Sequence, residues 1–127
     1  MNLNPEQARK KLVEALRSGD YDQTKGNLRV GDGYCCLGVA CDLYRKIEDP
    51  SMQWKMEWNP VVCADVWQFM GAPGLLPSEV QNWLGFSTSD GASVCGPYSD
   101  LSYLNDQGES FEYIADFIER GRVKLIG

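Results

Sequence analysis

Apolar residues recur three and four apart near the start of the chain. Ala8, Leu12, Ala15 and Leu16 fall on one side of a helix, and Arg9, Lys10, Glu14 and Arg17 fall on the other. Asn4 suits the N-cap, Pro5 the first helical position, and Gln7, three after the cap, can return a hydrogen bond to it. Gly19 ends this helix, since glycine adopts the left-handed terminal conformation without strain. Residues 20–26 read as a loop. Leu28-Arg29-Val30 reads as a short strand, Gly31-Asp32-Gly33 as a turn, and Tyr34-Cys35 as the returning strand of a small hairpin. From Cys36 to Tyr44 the chain is apolar almost all the way round, which predicts a helix buried in the middle of the domain. Cys36, Ala40, Leu43, Tyr44 and Ile47 share one face, and Gly38 and Ala40 are small enough for another element to come close. Arg45, Lys46, Glu48 and Asp49 return the helix to solvent, and Pro50 stops it.

The period then changes to two. Met52, Trp54, Met56 and Trp58 alternate with Gln53, Lys55 and Glu57, which predicts a half-buried strand over 52–58. Residues 61–70 fit a helix or a strand, and Val66-Trp67-Gln68-Phe69-Met70 favours the strand. Pro77 opens a short helix with Val80, Trp83 and Leu84 inward and Gly85 at its end. Residues 87–99, rich in Ser, Gly, Asp and Pro, predict a long loop with a short strand near Val94. Leu101–Leu104 predicts a helical turn. Ser110 caps a final helix whose apolar face is Phe111, Ile114, Ala115, Phe117 and Ile118. Gly121 ends it, and Val123-Lys124-Leu125-Ile126 predicts a terminal strand. Helices and short strands mix without a βαβ rhythm. The expected fold is therefore α+β: one domain over residues 1–127, with a small, mainly antiparallel sheet packed on a buried central helix.

Composition adds limits to this picture. The chain has 127 residues, four Trp, six Tyr and four Phe, enough apolar area for a core without staples. A net charge of −6 argues against non-specific binding to nucleic acid or to an anionic membrane, both of which need a basic surface. The five cysteines are odd in number, two of them adjacent. Met1–Pro5 lacks the basic and apolar regions of a leader, and no apolar run approaches a membrane span. The expectation is a cytoplasmic protein with reduced thiols.

The chain contains no histidine, which removes Ser-His-Asp and Cys-His catalysis and mixed zinc sites. The cysteines at 35, 36, 41, 63 and 95 form no C-x-x-C pair, so no metal ligands are assigned, and no motif calls for a cofactor. No glycine pattern makes a phosphate loop, and Asn105-Asp106-Gln107-Gly108 lacks the carboxylate spacing of a calcium loop. Cys36, at the start of a buried helix, has the dipole that activates a thiol but no base nearby in sequence, so core packing is the better reading. The segment Tyr21–Arg29 is more suggestive. Lys25 and Arg29 suit phosphate, Tyr21 suits stacking on a base, and Gln23 and Asn105 suit the reading of its edges. Asp106 and the backbone at Cys36 complete the expected ligand-binding set, which lies against the helix start. A surface loop that satisfies its own turns is the plainer alternative.

Several blocks together resemble a family of small proteins encoded by bacteriophages and prophages. They are Ala15–Gly26, Leu28-Arg29, Asp32–Leu43 with its Cys35-Cys36-Leu37-Gly38-Val39 core, Leu76–Gly85, Leu104–Phe111 and Ile114–Asp116. The resemblance implies a viral accessory gene acting in a bacterial cytoplasm and carries no catalytic residue with it. With little catalytic equipment, such a chain is expected to act by binding, most directly by sequestering a nucleotide-like signalling molecule. The alternative is a protein–protein inhibitor of a host defence enzyme, using an acidic face or the Met/Trp strand. A nucleotide hydrolase or lyase ranks last, for want of a histidine base. The aromatic-rich chain is compatible with homo-oligomerisation, but nothing in it fixes a heptad or an interface.

Overall fold

The capping box at Asn4 forms: its side chain accepts from Gln7 N at 2.8 Å, and Gln7 Oε1 accepts from Asn4 N at 3.0 Å. Helix α1 runs Pro5–Ser18 and ends at Gly19, whose φ is 79°. The computed structural model describes residues 3–126; Met1 and Asn2, within the segment read for a leader, and Gly127 lie outside them. The remaining elements are β1 (Asp22–Gln23), β2 (Arg29–Val30), β3 (Gly33–Tyr34), α2 (Cys36–Ile47), β4 (Lys55–Asn59), β5 (Ala64–Gln68), α3 (Ser78–Leu84), α4 (Leu101–Asp106) and α5 (Phe111–Glu119). The fold is α+β, as expected.

Helix α2 is the centre. Cys36 through Asp42 are buried in succession, and the helix packs against α1, α3, α4 and β3. Gly38 is required by the close approach of Leu28: a Cβ there would lie 1.8 Å from the Leu28 carbonyl oxygen. That carbonyl also accepts from Cys35 N at 3.0 Å, so the residue leading into β2 rests on the first turn of α2. Cys35 is thus not a strand residue. It caps α2, its sulfur accepting from Gly38 N at 3.4 Å. The predicted face of α5 is buried in full, each large side chain contributing about 2 kcal/mol, and it packs on α1. Arg17 of α1 adds ion pairs to Asp116 and, at 3.0 Å, to Glu119.

The five strands form one sheet in the order β1-β3-β2-β5-β4. All its pairings are antiparallel except β1 with β3. Three sequence expectations are corrected here. The 20–26 segment contains β1, a two-residue strand that its own composition does not announce because its partner is distant. The strand expected over 52–58 begins only at Lys55. It lies at the sheet edge, so Met56 and Trp58 are 53% and 59% exposed, while Met52 and Trp54 precede it and pack on the core. The terminal strand is reduced to two bridges, Phe86 with Leu125 and Ser93 with Val123, so the chain end is stitched between two loops. Residues 61–70 do hold a strand, β5. No helix among the described residues is long and apolar enough to cross a membrane.

Candidate functional site

The residues expected to bind a ligand divide into two groups. Gln23, Cys36, Asn105 and Asp106 come together, but they bind one another's segments. Asn105 is fully buried, and its Oδ1 accepts from Gln23 Nε2 at 2.9 Å and from Cys36 N at 3.1 Å. Its Nδ2 donates to Thr24 O at 2.7 Å, and Gln23 Nε2 also donates to Glu109 O at 2.7 Å. Asp106 Oδ1 accepts from Gly26 N at 2.9 Å. The amide at the start of α2 is thereby consumed by a side chain of α4, and the edge-reading amides are satisfied internally. The Cys36 thiol is 1% exposed and burial pushes its pKa well above the ordinary value, so it is a packed core group. Burial likewise pushes the Cys35 thiol up to about 11. Lys25 is exposed beside Gly108 and joins neither group.

Tyr21 and Arg29 belong to the second group, an aromatic face on the sheet. The register places Tyr34 opposite Arg29, Arg29 opposite Trp67, and Trp67 opposite Met56. Residues directly opposite in a sheet share a face, so these four form one row across β3, β2, β5 and β4. The Arg29 guanidinium carbon lies 4.0 Å from the Trp67 ring centre, 5.1 Å from that of Tyr34 and 5.6 Å from that of Trp54. Tyr21 meets Tyr34 edge-on with ring centres 4.9 Å apart. No carboxylate among the described residues pairs with Arg29 within ion-pair distance, and Arg29 Nε and Trp67 Nε1 are buried without an acceptor. Among the described residues the cation is held by stacking.

Beneath this face sits Asp42, 3% exposed in the otherwise apolar first turns of α2. Tyr21 Oη donates to its Oδ2 at 2.7 Å, and Trp54 Nε1 donates to its Oδ1 at 3.1 Å. Arg45 pairs with Oδ1 at 3.0 Å and Lys46 with Oδ2 at 3.3 Å. Burial by itself would raise the Asp42 pKa, but the hydrogen bonds from Tyr21 and Trp54 and the Arg45 guanidinium outweigh it and hold the carboxyl below the usual aspartate range. Burial and Asp42 together push the Tyr21 hydroxyl up, so it stays a donor. Above Asp42 opens a cleft of about 540 Å³ lined by Tyr21, Tyr34, Lys11, Glu14, Asp20, Arg45 and Lys46. Sequence reasoning did not place Asp42, Tyr34 or Trp67 here. A lone aspartate inside an apolar helical run was the available signal, since a buried carboxylate needs donors around it. No three groups of metal-ligating type converge among the described residues.

The family model for a domain of unknown function, DUF8296, matches residues 4–122. The chain belongs to the DUF8296 family. No curated protein and no solved structure matches it. The DUF8296 match starts at the Asn4 cap and takes in the Asn105 knot, the Asp42 cluster and the whole aromatic face.

Two predictions follow from this geometry. Asn105→Ala leaves the Cys36 amide and the Thr24 carbonyl unpaired in the interior, and is expected to cost about 3 kcal/mol in urea unfolding. A cost near zero would show that these contacts carry no stability. Because the folded pKa of Asp42 is depressed, its contribution is present above the usual aspartate range and lost as pH falls through the lowered native value. Asp42→Asn is therefore expected to be less stable at neutral pH and to show a shallower acid limb when urea midpoints are followed against pH. Parallel limbs would rule this out.

Proposed function

We propose that this DUF8296 chain acts by binding, without catalysis, as a phage accessory protein that engages a host protein in the bacterial cytoplasm. The observation that carries this reading is the row Tyr34, Arg29, Trp67 and Met56, flanked by Trp58. Tryptophan, tyrosine and arginine dominate the energetics of protein interfaces, and methionine is enriched there with them. Here the arginine is pre-ordered by stacking and has no carboxylate partner among the described residues, and the β4 end of the row is exposed. A partner offering an acidic group beside an apolar patch would complete it. The phage and cytoplasmic parts rest on the resemblance of the Cys-Cys-Leu-Gly-Val blocks and on five free cysteines. Absence of catalysis is supported by a chain without histidine whose buried thiols are pushed up and whose buried carboxylate is fully paired.

A protein partner ranks above a nucleotide because the helix start and the amides meant to read a base are occupied by Asn105. A second reading, sequestration of a nucleotide-like signal, is favoured by the cleft over Asp42, where Tyr21 and Tyr34 stand beside Lys11, Arg45 and Lys46.

For the first reading, the tagged chain is expected to retain one stoichiometric partner from host lysate. Met56→Ala combined with Trp58→Ala should weaken that complex by at least about 30-fold, the scale of a hot-spot loss. Full retention by the double variant would sink the assignment of the face. For the second, calorimetric titration with a panel of linear and cyclic nucleotides is expected to give saturable heat that Lys46→Ala reduces about tenfold. No heat across the panel would remove this reading.

A further inference from the structure

Strand β4 ends the sheet, and no described residue pairs with its outer backbone edge. Lys55, Met56, Glu57 and Trp58 along it are all exposed. An open edge of this length invites another strand unless its side chains forbid one. The β4 side chains forbid most self-pairings and favour one.

We propose that two copies of this chain pair antiparallel through β4 about a two-fold axis at Met56. In that register Lys55 of each copy stands opposite Glu57 of the other, Met56 opposite Met56, and Trp58 opposite Trp54. Both polar pairs are of opposite charge and both apolar pairs lie on the same face, which is what cross-strand pairing rewards. Centring the axis on Glu57 or on Lys55 puts like charges directly opposite each other. Centring it on Trp58 brings Pro60 into the ladder opposite Met56, where it cannot donate. Centring it between residues opposes the apolar row of one copy to the polar row of the other.

The pairing completes the aromatic face. Met56 is the outer end of the row Tyr34, Arg29, Trp67 and Met56, and the Met56 axis makes the row run straight into its own copy. Two five-stranded sheets become one, and Trp58 of each copy joins Trp54 of the other beside Arg29. The partner copy thus supplies part of each binding face. This inference goes beyond the functional reading and does not depend on it: a face that captures no host protein leaves the dimer untouched.

Sedimentation equilibrium of the full chain tests it. The wild type is expected to be a dimer at on the order of 100 µM. Lys55→Glu turns both charge pairs into Glu–Glu, and Glu57→Lys turns both into Lys–Lys. Each is expected to raise the dissociation constant about tenfold or more. The combined Lys55→Glu, Glu57→Lys chain restores opposite charges in the same register and should dimerise within about threefold of wild type. Both positions are exposed, so circular dichroism should report the same fold for all four chains. A wild type that stays monomeric overturns the proposal, and that is also the result expected if the edge is kept for a different protein. So does a double swap no better than the singles.

Discussion

The side chain of Asn105 is the interaction on which the arrangement of this domain depends. One amide, fully buried, closes three segments that are far apart in sequence: the 23–24 stretch, the first amide of α2 and the body of α4. Holding Gln23 and Thr24 against α2 is what lets β1 lie parallel to β3, with Thr24 N donating to Tyr34 O at 2.9 Å. Strand β3 then fixes β2, and β2 fixes Arg29. A short strand pair contributes too little to order itself, since each backbone residue fixed costs about 1–2 kcal/mol. A buried, fully satisfied polar group supplies specificity as well as energy, because any alternative packing leaves it unpaired. The same geometry gives the Cys36 amide at the start of α2 an acceptor from within the chain.

Asp42 does for the sheet what Asn105 does for the helices. Burying a carboxylate is costly, and the cost is offset only because Tyr21, Trp54, Arg45 and Lys46 all reach it. Two of these donors come from outside α2. Tyr21 precedes β1 and Trp54 precedes β4, so the carboxylate pins both ends of the sheet to the central helix. Trp54 also packs on Phe69 with ring centres 5.0 Å apart, which anchors the β4–β5 hairpin at its base and leaves its outer edge free. Acid that protonates Asp42 would therefore loosen the face and the core together.

Much of this was legible in the chain. The helices announced themselves through caps that act locally: Asn4 with Gln7, Ser110, and glycine after α1 and α3. The buried character of α2 followed from its apolar run, and Gly38 marked the close approach that Leu28 makes. What was not legible depends on distant partners. Strand β1 has no pattern of its own. The alternation around Met56 and Trp58 identified a strand but not whether anything covers its face, because period two is the same for a covered and a bare face. Among the site residues, Arg29 and Tyr21 have chemistry suited to a ligand and share a face. Gln23 and Asn105 have equally suitable chemistry, but they meet each other. A side chain suited to reading a ligand is equally suited to reading the backbone, and sequence alone does not separate the two uses.

The aromatic face and the open edge are two aspects of one design problem. An exposed strand that carries methionine and tryptophan is an aggregation hazard, and proteins guard such edges with charge. Lys55 and Glu57 are the guards here, but they have opposite signs and stand two apart. A single-sign pair would repel every copy. A pair of opposite signs repels the registers centred on either charge and favours the one that sets Lys55 opposite Glu57. Together with Pro60 and the apolar alternation, the same two side chains restrict pairing and favour the alignment about Met56. In that alignment the row through Arg29 gains its continuation. Among the described residues Arg29 has no carboxylate partner, because the sheet it sits on stacks it against Trp67 without supplying one. Stacking on Trp67, Tyr34 and Trp54 therefore fixes the guanidinium in the row while leaving its charge available to a group that meets it from outside.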